Sequence, residues 1–377
     1  MHIKTVYALL VFVLITLMPR APAYSDANPQ PISAAPAFVA ELVAEGLGVV
    51  WGLSFVSDYK LIFTEQSGGL GLLDLKSGEV DRVSGLPNIL FKGQGGLLDV
   101  VVPPNYLSEG WIYFTYSKES EGQGVTVLAR AKLSGVRVVE FEELLVTNSG
   151  TDKYIHYGSR IAFDRKGHIF FSVGDRGLRA NAQDLSNHAG SILRLNVDGS
   201  VPEDNPFVGK KEVLPEIWSY GHRNPQGLCY DHYNNRLWSI EHGPRGGDEL
   251  NLILPGRNYG WPVISYGKEY WGPFSVGEGT KKDGMEQPVK QYSPSIAPGS
   301  LLLYSGDAFP EWKGNLFAGA LALRHLNMIL LDEEGSAIGE ERLLINLNER
   351  IRALAESPKG FIFLTTDSGK IIRIRPK

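Results

Sequence analysis

The feature that most limits the possible folds of this sequence is a unit that occurs six times. Each copy contains an apolar strand, a short turn with Gly, Asp, Asn or Pro, and a second strand rich in aromatic and β-branched residues. The copies begin at Gly52, Leu97, Arg160, Gly227, Ser300 and Arg352. A third apolar stretch follows in each copy, at residues 70–75, 125–133, 191–195, 249–254, 326–331 and 370–374. The pattern is typical of an antiparallel meander.

Meanders that repeat radially form a β-propeller. We predict an all-β fold, a six-bladed β-propeller of four-stranded antiparallel blades, as a single domain over residues 37–377. A pair of β-sandwiches or a solenoid is the alternative, but loops of variable length suit a closed ring better than a stack. We expect residues 38–44 to close the ring by completing the sheet of the last copy, which would remove an exposed sheet edge.

The N-terminus has the layout of a secretory signal peptide. Residues 1–4 are weakly basic, residues 5–18 are almost wholly apolar, and small residues precede Ala23. The apolar run is shorter than the ~20 residues that cross a bilayer as a helix, so a retained membrane anchor is the weaker alternative. We expect a signal peptide at 1–23, a flexible lead-in at 24–36, and a periplasmic or secreted protein with no permanent membrane anchor.

Composition disfavours several classes of protein. The net charge of −5 provides no electrostatic footprint for nucleic acid. Cys229 is the only cysteine, so an intramolecular disulfide is impossible and stability must come from a core. No glycine fingerprint of a nicotinamide-binding domain is present.

Polar residues precede the first strand in four of the six copies. In a propeller, the loops that lead into the first strands lie on the same face as the loops between second and third strands. These residues are Gln94, His156, Arg223 with Asn224, and Arg350 with Arg352. Convergent polar groups in a concavity predict a ligand pocket. Taken singly, each has an ordinary structural explanation, such as pairing of Arg350 with Glu349 or Glu341.

A glycine-rich loop in the fourth copy, EHGPRGGDE at 241–249, would lie on the same face. Its glycines and proline expose backbone carbonyls, and calcium takes six to eight oxygen ligands that commonly include such carbonyls. The alternative is an ordinary tight loop with Asp248 and Glu249 solvated. Zinc is disfavoured because His242 has no partner at a ligand spacing.

Several longer segments point to one family. They are GQGGLLDV at Gly93, HYGSRIAFD at His156, EIWSYGHRNPQGL at Glu216, EHGPRGGDELNLI at Glu241 and NYGWPVISYGKEY at Asn258. The chain resembles the soluble aldose sugar dehydrogenases that depend on pyrroloquinoline quinone (PQQ), relatives of soluble glucose dehydrogenase, over about residues 39–375. The resemblance implies oxidation of an aldose at its anomeric carbon to a lactone, an external electron acceptor of unknown identity, and a monomer or homodimer.

The resemblance also implies roles for individual residues. His156 would be the general base and Arg223 a second catalytic group. Contacts to PQQ would come from Gln94, His156, Arg223, Asn224, Tyr270, Arg350 and Arg352. The carbonyls of Gly243 and Pro244 would bind a calcium ion at the PQQ site, and Glu249 with the carbonyl of Tyr259 a second, structural calcium ion.

Two positions depart from the glucose dehydrogenase pattern. Ile155 stands where an acidic residue precedes the catalytic histidine. The fifth copy reads ALALR at 320–324, with Arg324 in place of a lysine that would contact the cofactor. Strict glucose specificity is therefore not expected, and a contact of Arg324 with the cofactor stays open. The alternatives to this function are a calcium-dependent propeller lactonase or hydrolase, and a propeller that binds carbohydrate or protein without catalysis.

Overall fold

The structure, a computed structural model, describes residues 36–377. The predicted signal peptide and all but the last residue of the predicted lead-in therefore lie outside the described residues. Within them, the strands form six four-stranded antiparallel sheets, which confirms the predicted six-bladed β-propeller. Helical structure over this range is limited to α1 (Tyr106–Glu109) and three 3-10 turns at Arg179–Gln183, Pro310–Trp312 and Ile345–Leu347. No helix in residues 36–377 combines the length and apolar character needed to cross a membrane.

The strands follow the chain blade by blade, except that the first strand, β1 (Phe38–Ala44), belongs to the sixth blade. Blade one contains β2 (Val50–Ser57), β3 (Lys60–Glu65), β4 (Leu70–Asp74) and β5 (Val80–Val83). Blade two contains β6 (Leu97–Val101), β7 (Ile112–Ser120), β8 (Gln123–Ser134) and β9 (Arg137–Val146). Blade three contains β10 (Ile161–Phe163), β11 (His168–Val173), β12 (Ser191–Asn196) and β13 (Ile217–Tyr220).

The remaining blades repeat this order. Blade four contains β14 (Pro225–Asp231), β15 (Arg236–Glu241), β16 (Asp248–Ile253) and β17 (Lys290–Tyr292). Blade five contains β18 (Pro298–Leu303), β19 (Leu316–Ala320), β20 (Leu326–Leu331) and β21 (Ala337–Leu343). Blade six contains β22 (Ile351–Glu356), β23 (Ile362–Thr366), β24 (Ile371–Pro376) and the strand β1.

The expected ring closure is confirmed. Strand β1 pairs antiparallel with β24, from Phe38 opposite Pro376 to Ala44 opposite Ile371. The Glu41 carboxylate on β1 also accepts hydrogen bonds from the guanidinium groups of two arginines on β24. The N-terminal strand thereby covers the edge that the last blade would otherwise expose.

Apolar side chains pack between neighbouring blades. Each of the six largest clusters joins residues of two adjacent blades, and the cluster between the sixth and first blades contains Val50, Phe63, Phe363 and Ile371. The core is therefore a ring of interfaces, because both faces of each sheet are covered by its neighbours.

The axis of the ring holds a buried arginine, Arg160, where the chain enters β10. Its guanidinium donates hydrogen bonds of 2.5 to 3.1 Å to one acceptor on the innermost strand of every other blade. The acceptors are the carbonyls of Trp51, Gln226, Gly299 and Arg352 and the carboxylate of Asp99. We call this network the Arg160 hub. It fixes the six innermost strands relative to one another, and with them the loops that carry the candidate site.

Candidate functional site

The centre of the site is a histidine bonded to a buried carboxylate. His156 lies in the loop that leads into β10, and Asp175 follows β11. Nδ1 of His156 lies 2.6 Å from Oδ1 of Asp175, whose carboxylate also accepts from Nε1 of Trp261 at 2.8 Å and from the Gly177 amide at 2.7 Å. An ionised carboxylate can only accept, so Nδ1 of His156 carries the proton and Nε2 keeps its lone pair. The imidazole is thus held in the tautomer of a base.

The environment favours the neutral form of His156. Its side chain is only 12 % exposed, and burial lowers the pKa of the imidazole. The hydrogen bond and charge of Asp175 oppose this shift, while the positive charge of Arg223 adds to it. Burial by itself would raise the pKa of Asp175, but the hydrogen bond from His156 reverses the direction. His156 is therefore neutral, and Asp175 ionised, near neutral pH.

The backbone around His156 is strained. Tyr154, His156 and Ser159 have φ values of 51°, 54° and 85°, a region that costs a non-glycine residue about 1–3 kcal/mol. Gln94 holds the segment from the second blade. Its backbone amide donates to the Tyr154 carbonyl at 2.9 Å, and its side-chain Oε1 accepts from the His156 backbone amide at 2.8 Å. Gly174 allows the close approach of the loop, because a Cβ atom there would lie 2.3 Å from the His156 carbonyl oxygen.

The fourth blade brings Arg223 and Asn224 to the same face. Nη1 of Arg223 donates to the carbonyls of His242 and Gly243, at 3.1 and 2.9 Å. Oδ1 of Asn224 accepts from the Gly158 amide at 3.2 Å, two residues beyond His156. The structure thus joins the histidine segment of blade three to the glycine-rich turn of blade four.

The two arginines of the sixth blade share one carboxylate. Arg350 Nε lies 2.7 Å from Asp367, and Arg352 makes two bonds to it, at 2.8 and 3.0 Å. The Arg352 guanidinium also lies over the Trp51 ring, 4.3 Å from its centroid. Two cations against one anion leave a net positive charge at this side of the site. Arg324, on the adjacent blade, donates to Asn348 at 3.3 Å.

The glycine-rich loop is buried at its acidic end. Asp248 is fully buried, and its carboxylate accepts from the Gly243 amide at 2.9 Å and from Ser295 and Ala297. The alternative of a loop with solvated acidic side chains is therefore wrong for Asp248. The Pro244 carbonyl accepts a hydrogen bond from the hydroxyl of Tyr270, whose side chain is otherwise 65 % exposed.

Glu249 lies beside a second buried glutamate. It stands opposite Glu241 across the β15–β16 pairing, and burial together with the charge of Glu241 raises the pKa of Glu249 to about 8. The Asn251 amide donates to both carboxylates, at 3.4 and 3.3 Å, while its Oδ1 is buried without a partner. Both glutamates line a small cavity with Gly243 and Tyr259. This cluster of carboxyl and carbonyl oxygens has the chemistry of a hard-cation site.

The donor set limits how a metal could bind. Across residues 36–377, no group of three or more His, Cys, Asp or Glu side chains is arranged to hold one. The Tyr259 hydroxyl is bonded to the Leu252 carbonyl at 2.6 Å and to the Leu254 amide at 2.8 Å. A cation in this cavity would therefore combine glutamate oxygens with backbone carbonyls.

The acidic partners of the site were not predicted from the sequence. In four copies, an acidic residue at the end of the second strand, or within two residues after it, pairs with a basic side chain; these residues are Glu65, Asp175, Glu241 and Asp367. Glu65 pairs with Arg82, Asp175 with His156 and Glu241 with His222, while Asp367 pairs with both Arg350 and Arg352. This recurrence was visible in the repeats. It could have identified Asp175 as the partner of His156, whereas no repeat position pointed to Trp261.

Comparisons with known proteins agree on one family. The family model described as glucose/sorbosone dehydrogenase matches residues 47–373. The aldose sugar dehydrogenase YliI of Escherichia coli is 36 % identical over 354 residues, which cover 91 % of this chain and 95 % of that protein. The apo crystal structure of the soluble aldose sugar dehydrogenase of E. coli superimposes with a TM-score of 0.86 at 33 % identity, over 90 % of this chain and 100 % of that one. The PQQ-bound aldose sugar dehydrogenase of Streptomyces coelicolor gives a TM-score of 0.74 at 26 % identity, over 91 % and 99 %.

Proposed function

This chain belongs to the glucose/sorbosone dehydrogenase family, and we propose that it oxidises aldose sugars at the anomeric carbon to lactones, with PQQ and calcium as cofactors. Membership of the family and the PQQ-bound structural neighbour support sugar oxidation. The observation that carries the proposal is the His156–Asp175 pair, a base with a defined tautomer, next to the cationic groups of blades four and six.

The cationic groups fit a polyacidic quinone. PQQ carries three carboxylic groups, and Arg223, Arg350 and Arg352 offer fork-shaped donors from two blades. Gln94, Asn224 and Tyr270 lie in the same set of loops and would complete the contacts. When bound, PQQ would supply the acceptor for a hydride, which no amino-acid side chain can accept.

Two calcium ions fit the oxygen donors of blade four. The carbonyls of Gly243 and Pro244 would hold one at the PQQ site, where Arg223 and Tyr270 already contact those carbonyls. Glu249 and the carbonyl of Tyr259 would hold the second. A cation there would offset the repulsion that raises the pKa of Glu249 and could use the unpaired Oδ1 of Asn251.

The side chains of the protein would carry out the proton transfer. Nε2 of His156 would take the proton from the anomeric hydroxyl as the hydride leaves the carbon. Asp175 would hold the ring in place and stabilise the imidazolium that forms. Arg223 would stabilise negative charge that develops near it, as preorganised charges do.

A dye-linked oxidation assay across several aldoses, with and without added PQQ and calcium, tests this function. We expect His156→Ala to abolish turnover and to leave PQQ binding largely intact. Activity indifferent to PQQ and calcium would refute the cofactor assignment, and loss of PQQ binding in His156→Ala would refute the role of the histidine. Hydrolysis of a sugar lactone without any dye would instead support the lactonase alternative.

The setting of the enzyme is part of the proposal. We propose a single catalytic domain over residues 37–377, export after cleavage near Ala23, and transfer of electrons to an external acceptor. Mass determination of the N-terminus of the exported protein tests the cleavage site.

A further inference from the structure

A fully buried arginine follows Asp175 in the chain and has no part in the proton transfer described above. Within residues 36–377, the hydrogen bonds of the Arg176 side chain go to two backbone carbonyls, those of Ile155 and Gly124, and its Nε is left without a partner. Taking a guanidinium out of water costs free energy that two carbonyls return only in part. A buried cation held in this way, one residue from the partner of the proposed base, indicates a role in the site.

Arg176 contacts the residues on both sides of His156. One Nη atom donates to the carbonyl of Ile155, which precedes the histidine. The guanidinium lies over the ring of Tyr157, which follows the histidine, with 3.3 Å between the guanidinium carbon and the ring centroid. The other Nη atom donates to the Gly124 carbonyl at 3.0 Å. Because Gly124 lies on β8, the side chain also joins the histidine segment to blade two.

Asp175 and Arg176 together hold three successive residues. Asp175 bonds the imidazole of His156, while Arg176 holds the peptide before it and the ring after it. Both segments have unfavourable backbone geometry at this contact, since φ is 54° at His156 and 58° at Arg176. Such conformations persist only where the surrounding contacts over-determine them. The position of the imidazole therefore depends on Arg176 as well as on Asp175.

Arg176 also brings a positive charge close to the histidine. Burial lowers the pKa of His156, the charges of Arg223 and Arg176 add to this effect, and the Asp175 carboxylate opposes it. The nearby imidazole of His242 is uncharged, because burial lowers its pKa to about 3. The charged groups that act on His156 are therefore one anion and two cations, and Arg176 is the cation that also holds its backbone.

We propose that Arg176 is a positioning residue for the proposed base, which fixes His156 through the Ile155 carbonyl and the Tyr157 ring and holds a permanent positive charge beside it. This inference rests on the proposed function, in which His156 accepts a proton. Arg176 is buried and would not touch the sugar. It can still set the rate, because a displacement of a reacting group by about 1 Å can lower turnover about a hundredfold.

Two substitutions separate the contacts of Arg176 from its charge. For Arg176→Met we expect kcat to fall about a hundredfold, with little change in the KM for the sugar. The acid limb of kcat/KM should move to higher pH, because a cation that disfavours the imidazolium is gone. Arg176→Lys keeps the charge but lacks the planar fork that reaches two carbonyls, so kcat should fall while the midpoint stays at the wild-type pH. A wild-type kcat in Arg176→Met, or an acid limb that does not move to higher pH, would overturn the proposal.

Arg194→Met is the matched control. Arg194 is also a buried arginine of blade three, its guanidinium lies 4.7 Å from the ring centroid of Trp218, and its Nε likewise has no partner among residues 36–377. Its hydrogen bonds go to Asp204 and to His168, at the opposite end of β11 from Asp175.

We expect Arg194→Met to lose stability, read as a fall in Tm, and to keep the wild-type kcat and pH midpoint. If both methionine variants change kcat and the midpoint alike, Arg176 has only a structural role and the proposal is wrong. If Arg176→Met does not fold, Arg176→Gln takes its place, since the amide can donate to one carbonyl and carries no charge.

Titration of His156 in the cofactor-free protein separates failure of this inference from failure of the proposed function. NMR spectra of protein with isotope-labelled histidine follow each imidazole, and the signal that is lost in His156→Gln identifies His156. We expect a higher midpoint in Arg176→Met than in wild type, Arg176→Lys and Arg194→Met. If wild-type protein with PQQ and calcium oxidises no sugar, the proposed function fails, and this titration still decides whether Arg176 acts on His156. Equal midpoints in all four proteins would show that it does not.

Discussion

The Arg160 hub and the Glu241–Glu249 pair bury charge in opposite ways. Burial raises the pKa of Asp99, but the charge of Arg160 opposes the shift, and five acceptors satisfy the guanidinium. The two glutamates instead repel each other, and the neighbouring Asn251 keeps an unpaired buried oxygen. A buried charge with a full set of partners within the chain is tolerated by the fold, and its partners are costly to remove, whereas buried acidic groups without such partners indicate a binding site for a further ion.

The largest effect should come from breaking the hub. Arg160→Met leaves Asp99 buried without its cation, so we expect the free energy of unfolding to fall by about 3–5 kcal/mol in urea titrations. Arg342→Met, at a side chain that is 47 % exposed, should change it by less than ~0.5 kcal/mol. If the free energy of unfolding falls by a similar amount in both variants, the hub contributes no more to stability than an exposed surface residue does.

Calcium should raise the thermal stability of the protein through the Glu241–Glu249 pair and not through the Arg160 hub. Calcium at about a hundred times its dissociation constant should stabilise the wild type by about 2.7 kcal/mol, read as a rise in Tm. Glu249→Gln should lose most of this rise. In a chelator it should be as stable as wild type, because a carboxyl with a pKa of about 8 is already largely neutral near pH 7, as the glutamine amide is. The control Glu278→Gln, at a side chain 67 % exposed, should keep the full rise. If calcium raises the Tm of Glu249→Gln as much as that of the wild type, the Glu241–Glu249 pair is not a calcium site and does not differ from the hub in this respect.

The smallest effect is expected at the His156–Asp175 pair, where burial shifts the pKa of the histidine and a partner within the chain opposes that shift. Since burial lowers the pKa of His156, the neutral base should persist on acidification, and the acid limb of kcat/KM should have its midpoint below about 6.5. Asp175→Asn removes the partner that opposes this shift, so the midpoint should move further to acid while kcat falls. A midpoint at or above 6.5 in the wild type would contradict the proposed environment.

The blades could be predicted from the sequence, but not every strand could. The first three strands of each blade are apolar because neighbouring sheets cover them, and the third strands predicted at residues 70–75, 191–195 and 326–331 are confirmed. The outermost strands β5 and β17, Val80–Val83 and Lys290–Tyr292, are short and largely polar. Edge strands lack the apolar signal because one side faces water.

The candidate site was also predicted only in part. The repeat register predicted Gln94, His156 and Arg223 on one face. The structure links them, because the His156 amide donates to Oε1 of Gln94 and the backbone amide of Asp175, the partner of His156, donates to the Arg223 carbonyl. Their side-chain partners were not predicted, since the Asp175–His156 and Trp261–Asp175 bonds depend on how two loops fold.

The sequence by itself determined the repeat, the ring and the face that carries the polar residues, because alternation of apolar side chains is a local property of each strand. Tertiary structure alone decided which charges meet. Arg160 reaches the five other blades only after the ring has closed. Glu241 and Glu249 meet within one hairpin, but they are enclosed only when the loop with Trp261 and Ile264 packs beside them. Ring closure brings residues far apart in the chain within hydrogen-bond distance, where burial and neighbouring charge, not residue type, set their pKa values.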